Sequence, residues 1–341
     1  MLRSALRFRD RLDNALRRYD EAEQLYRKAL EANPRHAFSW YNLAVLLEEV
    51  RRDNDGAEEA FQKAIEINPN DAIALADYAQ FLCAARLREA RGADARAAVL
   101  SRAEQHYERA LAHDPQNATY LYNYANMLKR DAKDFARAEE YYTKCLAVDP
   151  KHSEALGNYA NLLTDVKRDF DKAEEMYTRG IAAKPRNPAN LGNFADFLWD
   201  VRHDPKRAGE MYARAAACDG VTAYVLNNFA QFLLESAAQA PGPASAKLDA
   251  SERARGLLER VLAGDPRNAD AAGALAAVTW HLAGGRGDAD MAQGEVEGLF
   301  QKALQLDPRN QTNCYRYAAF LKDCGNSRKA KEFSQRADAL G

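Results

Sequence analysis

An all-α fold, an α-solenoid of about nine stacked helix–turn–helix units, is what this 341-residue chain predicts. Proline punctuates it at Pro34, Pro69, Pro115, Pro150, Pro185, Pro266 and Pro308, with Gly220 standing where one more would fall. The intervals are 35, 46, 35, 35, 35, 46 and 42 residues, a period that marks a repeat architecture. Within an interval, apolar and small residues recur at helical spacing in two blocks. Leu156, Tyr159, Ala160 and Leu163 fall at i, i+3, i+4 and i+7, and Ala173, Tyr177 and Gly180 follow the same rule after the polar turn VKRDFD. Small residues also hold a fixed register across the units, which helices that approach closely require.

Each unit therefore reads as two helices closed by a proline that stops the second. Asn187 before Pro188 reads as an N-cap and first helical residue. The units are expected over 1–34, 35–69, 70–115, 116–150, 151–185, 186–220, 221–266, 267–308 and 309–341. Unit 1–34 is degenerate: Phe8 and Leu12 fit, but Arg9 occupies the small position. Two units carry eleven extra residues. In 70–115, CAARLREARGADARAAVLSR lacks proline and predicts two lengthened helices around Gly92. In 221–266, ESAAQAPGPASAKLDASER predicts a flexible loop, as does AGGRGDADMAQG in 267–308. The charged helix SRKAKEFSQRADAL is expected to cap the stack.

The small positions are Ala44, Ala79, Ala125, Ala160, Ala195 and Ala230 in the first helices. In the second helices they are read as Ala60, Ala103, Ala138, Ala173 and Ala208. From Ala103 on, each is followed one turn later by a tyrosine: Tyr107, Tyr142, Tyr177 and Tyr212. The pattern of Asn-Tyr-Ala, leucine, Ala-x3-Tyr-x2-Ala and Asp-Pro resembles the tetratricopeptide repeat over nearly the whole chain. The family unit has 34 residues; the commonest here has 35, the extra residue being expected in the turn between helices. The resemblance implies a right-handed superhelix with first helices lining a concave wall and, by function, protein–protein interaction.

Two rows of polar residues share a face of the first helices, three positions apart. One row is Asn42, Asp77, Asn123, Asn158, Asn193 and Asn228; the other is Val45, Gln80, Asn126, Asn161, Asp196 and Gln231. Carboxamides offer the donors and acceptors that an extended peptide backbone needs, so this double ladder is the candidate peptide site. It resembles the asparagine ladder of tetratricopeptide superhelices, though the same amides can serve only to bridge helices. Tyr41 and Tyr122 lie one residue earlier, where Gly157 and Gly192 are expected to leave room instead. Glu48, Asp165, Asp200 and Glu235 follow along the same helices, interrupted by Lys129 and Arg130. The expected partner is a neutral to basic extended segment. The lysines with which cochaperone repeats clamp a heat-shock protein's C-terminal carboxylate have no counterpart, so that partner is not expected.

A net charge of −2 with interleaved signs argues against nucleic acid or an anionic membrane surface as the partner. Five scattered cysteines without a CxxC pair suit a reducing, cytoplasmic setting. The Arg-rich start MLRSALRFRDRL is the one hint of organelle targeting, and Asp10 and Asp13 weaken it. The six histidines do not converge and His36 and His152 are expected to face solvent; zinc, phosphate-loop and nucleophile-elbow motifs are absent. Glu139 and Glu140 near Lys144 read as a solvated helix face. No catalytic residue, metal or cofactor is expected. The leading function is a non-catalytic scaffold or adaptor. The alternatives are a structural subunit working through convex face, edges and inserted segments, and helical-repeat RNA binding.

Overall fold

A computed structural model describes residues 2–239, 243–286 and 289–340, with side chains from residue 17 onward except at 285–286 and 289–291. The expected fit of Phe8, Arg9 and Leu12 lies outside the described side chains. The chain divides into two compact units, residues 1–167 and 168–341. Among the described residues all regular structure is helical.

The first unit comprises α1 (Leu2–Ala32), α2 (Ala37–Leu46), α3 (Asn54–Ile67), α4 (Ala72–Phe81), α5 (Leu87–Glu89), α6 (Ala93–His113), α7 (Ala118–Met127), α8 (Phe135–Val148) and α9 (Ser153–Leu162). The second comprises α10 (Phe170–Ala183), α11 (Pro188–Asp200), α12 (Pro205–Ala216), α13 (Ala223–Gln239), α14 (Ala244–Gly264), α15 (Ala269–Arg286), α16 (Ala289–Leu306), α17 (Gln311–Asp323) and α18 (Ser327–Asp338). Hairpins form from α2 with α3, α4 with α6, and α7 with α8 in the first unit, and from α11 with α12 through α17 with α18 in the second. Within each unit, successive hairpins pack on one another. The start is simpler than a hairpin, because α1 runs unbroken over residues that were expected to hold two helices.

The alanine register holds. Ala44, Ala79, Ala125, Ala160 and Ala195 of the first helices are fully buried and Ala230 nearly so. In the second helices the equivalent residue is Ala57 rather than Ala60, since Ala57 stands four before Phe61 as Ala103 stands four before Tyr107. Both are buried, which is why the sequence alone permitted either. Each following ring packs on an aromatic of the next hairpin. Tyr107 stacks on Tyr124 at 5.3 Å and Tyr142 on Tyr159 at 6.1 Å. In the second unit Tyr177 stacks on Phe194 at 5.3 Å and Tyr212 on Phe229 at 5.4 Å. Short side chains admit the backbone, and the rings fill the flanking groove.

The thirty-fifth residue is accommodated differently from expectation. The first helices widen into a π turn at Leu47–Arg51, Leu128–Ala132 and Leu163–Lys167, just before the inter-helix turn. A left-handed residue then reverses the chain: Arg52 at φ 58° and Lys133 at φ 58°. The carbonyl of Leu128 receives the Lys133 amide and, at 2.9 Å, that of Asp134, which closes the helix end. Asp134 in turn caps α8 by accepting from the Arg137 amide at 3.1 Å. Asn187 caps α11 as expected, with Pro188 in its first turn.

The two enlarged hairpins also differ from one another less than expected. In residues 70–115 the chain passes the usual reversal point as helix, through a π turn at Leu82–Arg86 and then α5, and turns at Gly92, φ 85°. In 221–266 the expected flexible loop gives way to longer helices, with α13 reaching Gln239 and α14 starting at Ala244; residues 240–242 lie outside the described ones. The loop expected from AGGRGDADMAQG is replaced likewise by the ends of α15 and α16, apart from 287–288, which are not described. Alanine-rich flanks continue a helix readily.

Candidate peptide-binding grooves

The two polar rows meet through contacts between neighbouring hairpins. In the first unit, Asn123 Nδ2 donates to Gln80 Oε1 at 3.1 Å, and Asn158 Nδ2 donates to Asn126 Oδ1 at 2.9 Å and to the Tyr122 hydroxyl at 3.2 Å. Asn126 Oδ1 also accepts from the Tyr142 hydroxyl at 2.6 Å. Asp77 takes the same place for the Tyr41 hydroxyl, at 2.7 Å. Burial holds the Asp77 carboxyl above the ordinary range, against the lowering effect of that bond. In the second unit, Asn228 Nδ2 donates to Asp196 at 3.2 Å, and Asp196 also accepts from Tyr212 and, at 3.1 Å, from Tyr224.

The first row of one hairpin thus bonds the second row of the hairpin before it, so the ladder helps to join the repeats. Two of its members turn onto their own helices: Asn42 donates to the Phe38 carbonyl at 2.7 Å and Gln231 to Glu235 at 2.7 Å. Asn161 of α9, in the second row, and Asn193 of α11, in the first, lie half-buried. The room expected over Gly192 is taken: a Cβ there would stand 2.6 Å from Val225 Cγ2 of the next hairpin. His152 does not face solvent. Its Nδ1 accepts the Ala155 amide at 3.2 Å as the N-cap of α9, and its ring lies 4.8 Å from that of Tyr122.

Each unit nonetheless has a cavity on this wall. That of the first unit, about 470 Å³, lies against Gln80, Tyr122, Asn123 and Asn126. One in the second, about 220 Å³, lies against Asp196, Asp200, Asn228, Gln231 and Glu235, with Trp199 beside them. Amides spent on neighbours keep capacity, because a carboxamide carries two donor hydrogens and two acceptor lone pairs. The second cavity is acidic. Burial, then the charges of Asp196 and Glu235, raise the Asp200 carboxyl above its ordinary range. A cation placed there would relieve that repulsion.

The sequence reading missed two groups. Arg88 and Arg96 of the enlarged hairpin line the first cavity together with Arg130. The signal lay in the basic residues of the eleven-residue excess. Glu139, read as solvated, instead accepts from the Tyr159 hydroxyl at 2.9 Å and from Lys167 Nζ at 2.8 Å. The same joint recurs as Tyr78 with Glu58 at 3.0 Å, Tyr124 with Glu104 at 3.1 Å and Tyr317 with Glu297 at 3.0 Å. Glu140 and Lys144, 2.6 Å apart within one helix, match the solvated description.

Two tetratricopeptide repeat family profiles match the chain, over residues 13–72 and 129–189. Its fold is similar to that of yeast Tom70, with a TM-score of 0.61 and 20% identity over 96% of this chain and 60% of that one. The chain thus spans 60% of the length of that Tom70 chain. It is also similar to pilF of Pseudomonas aeruginosa, with a TM-score of 0.50 and 19% identity over 74% of this chain and 96% of that one. PilW, a type IV pilus biogenesis factor, gives 0.50 and 23% over 65% and 92%. Identities this low speak for the fold alone. No curated protein matches. Among the described residues no helix is long and apolar enough to cross a membrane.

Proposed function

Because the chain is a tetratricopeptide repeat protein, with hairpins that leave a polar cavity on the first-helix wall of each unit, we propose that it is a non-catalytic adaptor holding an extended segment of a partner protein. The observation that supports this reading most is the lining of the two cavities. Gln80, Asn123 and Asn126 line one; Asp196, Asn228 and Gln231 line the other. Backbone N–H and C=O groups of an extended segment find both donors and acceptors on such a wall, and alternate side chains enter the cavities. The acidic cavity of the second unit suits a neutral or basic residue, with Trp199 offering a ring face to a cation. Free, buried thiols at Cys83, Cys145, Cys218 and Cys314 suit a cytoplasmic setting.

A second reading, a structural subunit that packs through an edge, draws on Phe38 and Ile73. They are exposed to 66% and 55% and lie 35 residues apart at the same place of successive hairpins. One experiment separates the two. Retention of a library of blocked, randomised octapeptides is measured for the wild type, for Asn123→Ala with Asn228→Ala, and for Phe38→Ser with Ile73→Ser. Helicity and melting are followed in parallel. Loss in the first variant with helicity kept supports the groove; loss confined to the second transfers the function to the edge.

A further inference from the structure

We infer that the cavity of the first unit is a subsite for an acidic side chain, aspartate or glutamate, of the bound segment, and that the enlarged hairpin exists to build it. The inference rests on the peptide-holding reading and adds its charge preference. Counting from both flanks of the hairpin, the extra residues are 87–97. Arg86 ends the ordinary first helix: it bonds Glu58 across 28 residues, as Arg51 bonds Glu23. At the next position the neighbouring hairpins reverse the chain with a left-handed residue, Arg52 or Lys133. Here Leu87 stays helical and buried, and the helix runs on through Glu89. That added turn carries Arg88 to the cavity, and the start of α6 supplies Arg96.

Opposite them stands Arg130 at the end of the next first helix. The cavity thus has three guanidiniums against one carboxylate, Asp131. That carboxylate is already committed, since Arg130 Nε donates to Asp131 Oδ1 at 3.0 Å and Nη2 to Oδ2 at 2.8 Å. Arg96 is held in place by donating from Nη1 to the Leu87 carbonyl at 2.9 Å, which leaves the rest of its fork of donors available. Arg88 and Arg96 are exposed, so their charges face water and whatever enters the cavity. A planar carboxylate accepts bidentate ion pairs from such forks, whereas a neutral amide offers one carbonyl oxygen and no countercharge. The apolar floor of Cys83, Tyr107 and Met127 lowers the local dielectric and strengthens that contrast.

The test uses the full-length protein and two libraries of N-acetylated, C-amidated octapeptides. All positions are randomised except a central one, fixed as Glu in one library and Gln in the other. The wild type is expected to retain the Glu library about tenfold better, the size of one charge-assisted bond, and to lose the difference at high salt. Arg88→Gln with Arg96→Gln is expected to equalise the libraries, with helicity and melting followed in parallel because Arg96 also bonds the Leu87 carbonyl. Arg88→Lys with Arg96→Lys restores part of the preference. Equal retention by the wild type overturns the inference and leaves the peptide-holding reading standing. A Glu preference that survives Arg88→Gln with Arg96→Gln overturns the assignment to this cavity. Retention of neither library overturns both.

Discussion

Asn158 donates from its carboxamide to the carboxamide of Asn126, 32 residues earlier, at 2.9 Å. One amide row of the candidate site is therefore also a joint between hairpins. Because Asn126 Oδ1 serves the Tyr142 hydroxyl as well, its removal strands two donors on a half-buried wall. Asn126→Ala is expected to cost about 1–2 kcal/mol in urea unfolding. In a double-mutant cycle with Asn158→Ala the coupling should be about 0.5–1.5 kcal/mol. Additive losses would remove the joint.

Gly192 marks a close approach of α11 to α13 of the next hairpin in the second unit. A methyl added there would meet Val225 Cγ2 at 2.6 Å, inside contact distance. Gly192→Ala is expected to lower stability by about 1–3 kcal/mol through overpacking. Val225→Ala, introduced second, should recover part of that loss, read as a rise in melting temperature over the single variant. A neutral Gly192→Ala would mean that the helices have slack.

Lys133 sits in the left-handed region at φ 58°, where a Cβ crowds the following carbonyl. Lys133→Gly keeps the two amide bonds to Leu128 and relieves that crowding. Its own greater freedom in the unfolded chain offsets part of the gain. The expected net change is a stabilisation of about 0.5–1 kcal/mol, measured as a higher urea midpoint, whereas the β-branched Lys133→Val should lower it.

His106 packs its ring 4.8 Å from Tyr78, with Nδ1 buried and unpartnered. Burial first, and then the charges of Arg109 and Arg102, push its pKa down from 6.5 to about 4. The folded state thus holds fewer protons than the unfolded chain between those values. Its contribution to stability is complete above pH 6.5 and drains away as pH falls toward 4. His106→Phe retains a ring against Tyr78 without the imidazole. The stability difference between pH 7 and pH 4.5 should shrink in that variant.

The repeat, the alanine register and the caps were legible because each depends on spacing along one helix or across one turn. Periodicity says which residues share a face; it does not say which atom of the neighbouring hairpin each one meets. Hence Asn126 and Asn158 were assigned to rows of one shared face while their mutual bond went unseen. The same limit hid Val225 over Gly192, 33 positions away. Residues 87–97 were legible as added helix, but the direction of Arg88 follows from the helix passing its usual reversal point, which spacing cannot show. On either side of 240–242 the loop expectation gave way because the alanine-rich flanks are helical up to Gln239 and from Ala244.

Glu139 and Glu140 give the sharpest contrast between sequence and packing, because adjacent glutamates of one helix take opposite roles. Glu139 accepts from Tyr159 of the next hairpin at 2.9 Å and pairs with Lys167 at 2.8 Å, so its loss removes an acceptor from a buried hydroxyl and a countercharge from a lysine together. Glu140 pairs with Lys144 of its own helix, both side chains exposed. Glu139→Ala is expected to cost about 1–2 kcal/mol. Glu140→Ala should stay within about 0.5 kcal/mol, as exposed i, i+4 pairs do. Glu139→Gln should fall between, since it keeps an acceptor for Tyr159 and gives up only the charge. Salt adds an independent check. The Glu139→Gln deficit should narrow as ionic strength rises, while the further step to alanine, a lost hydrogen bond to Tyr159, should not. Equal losses at Glu139 and Glu140 would place Tyr159 outside any such joint.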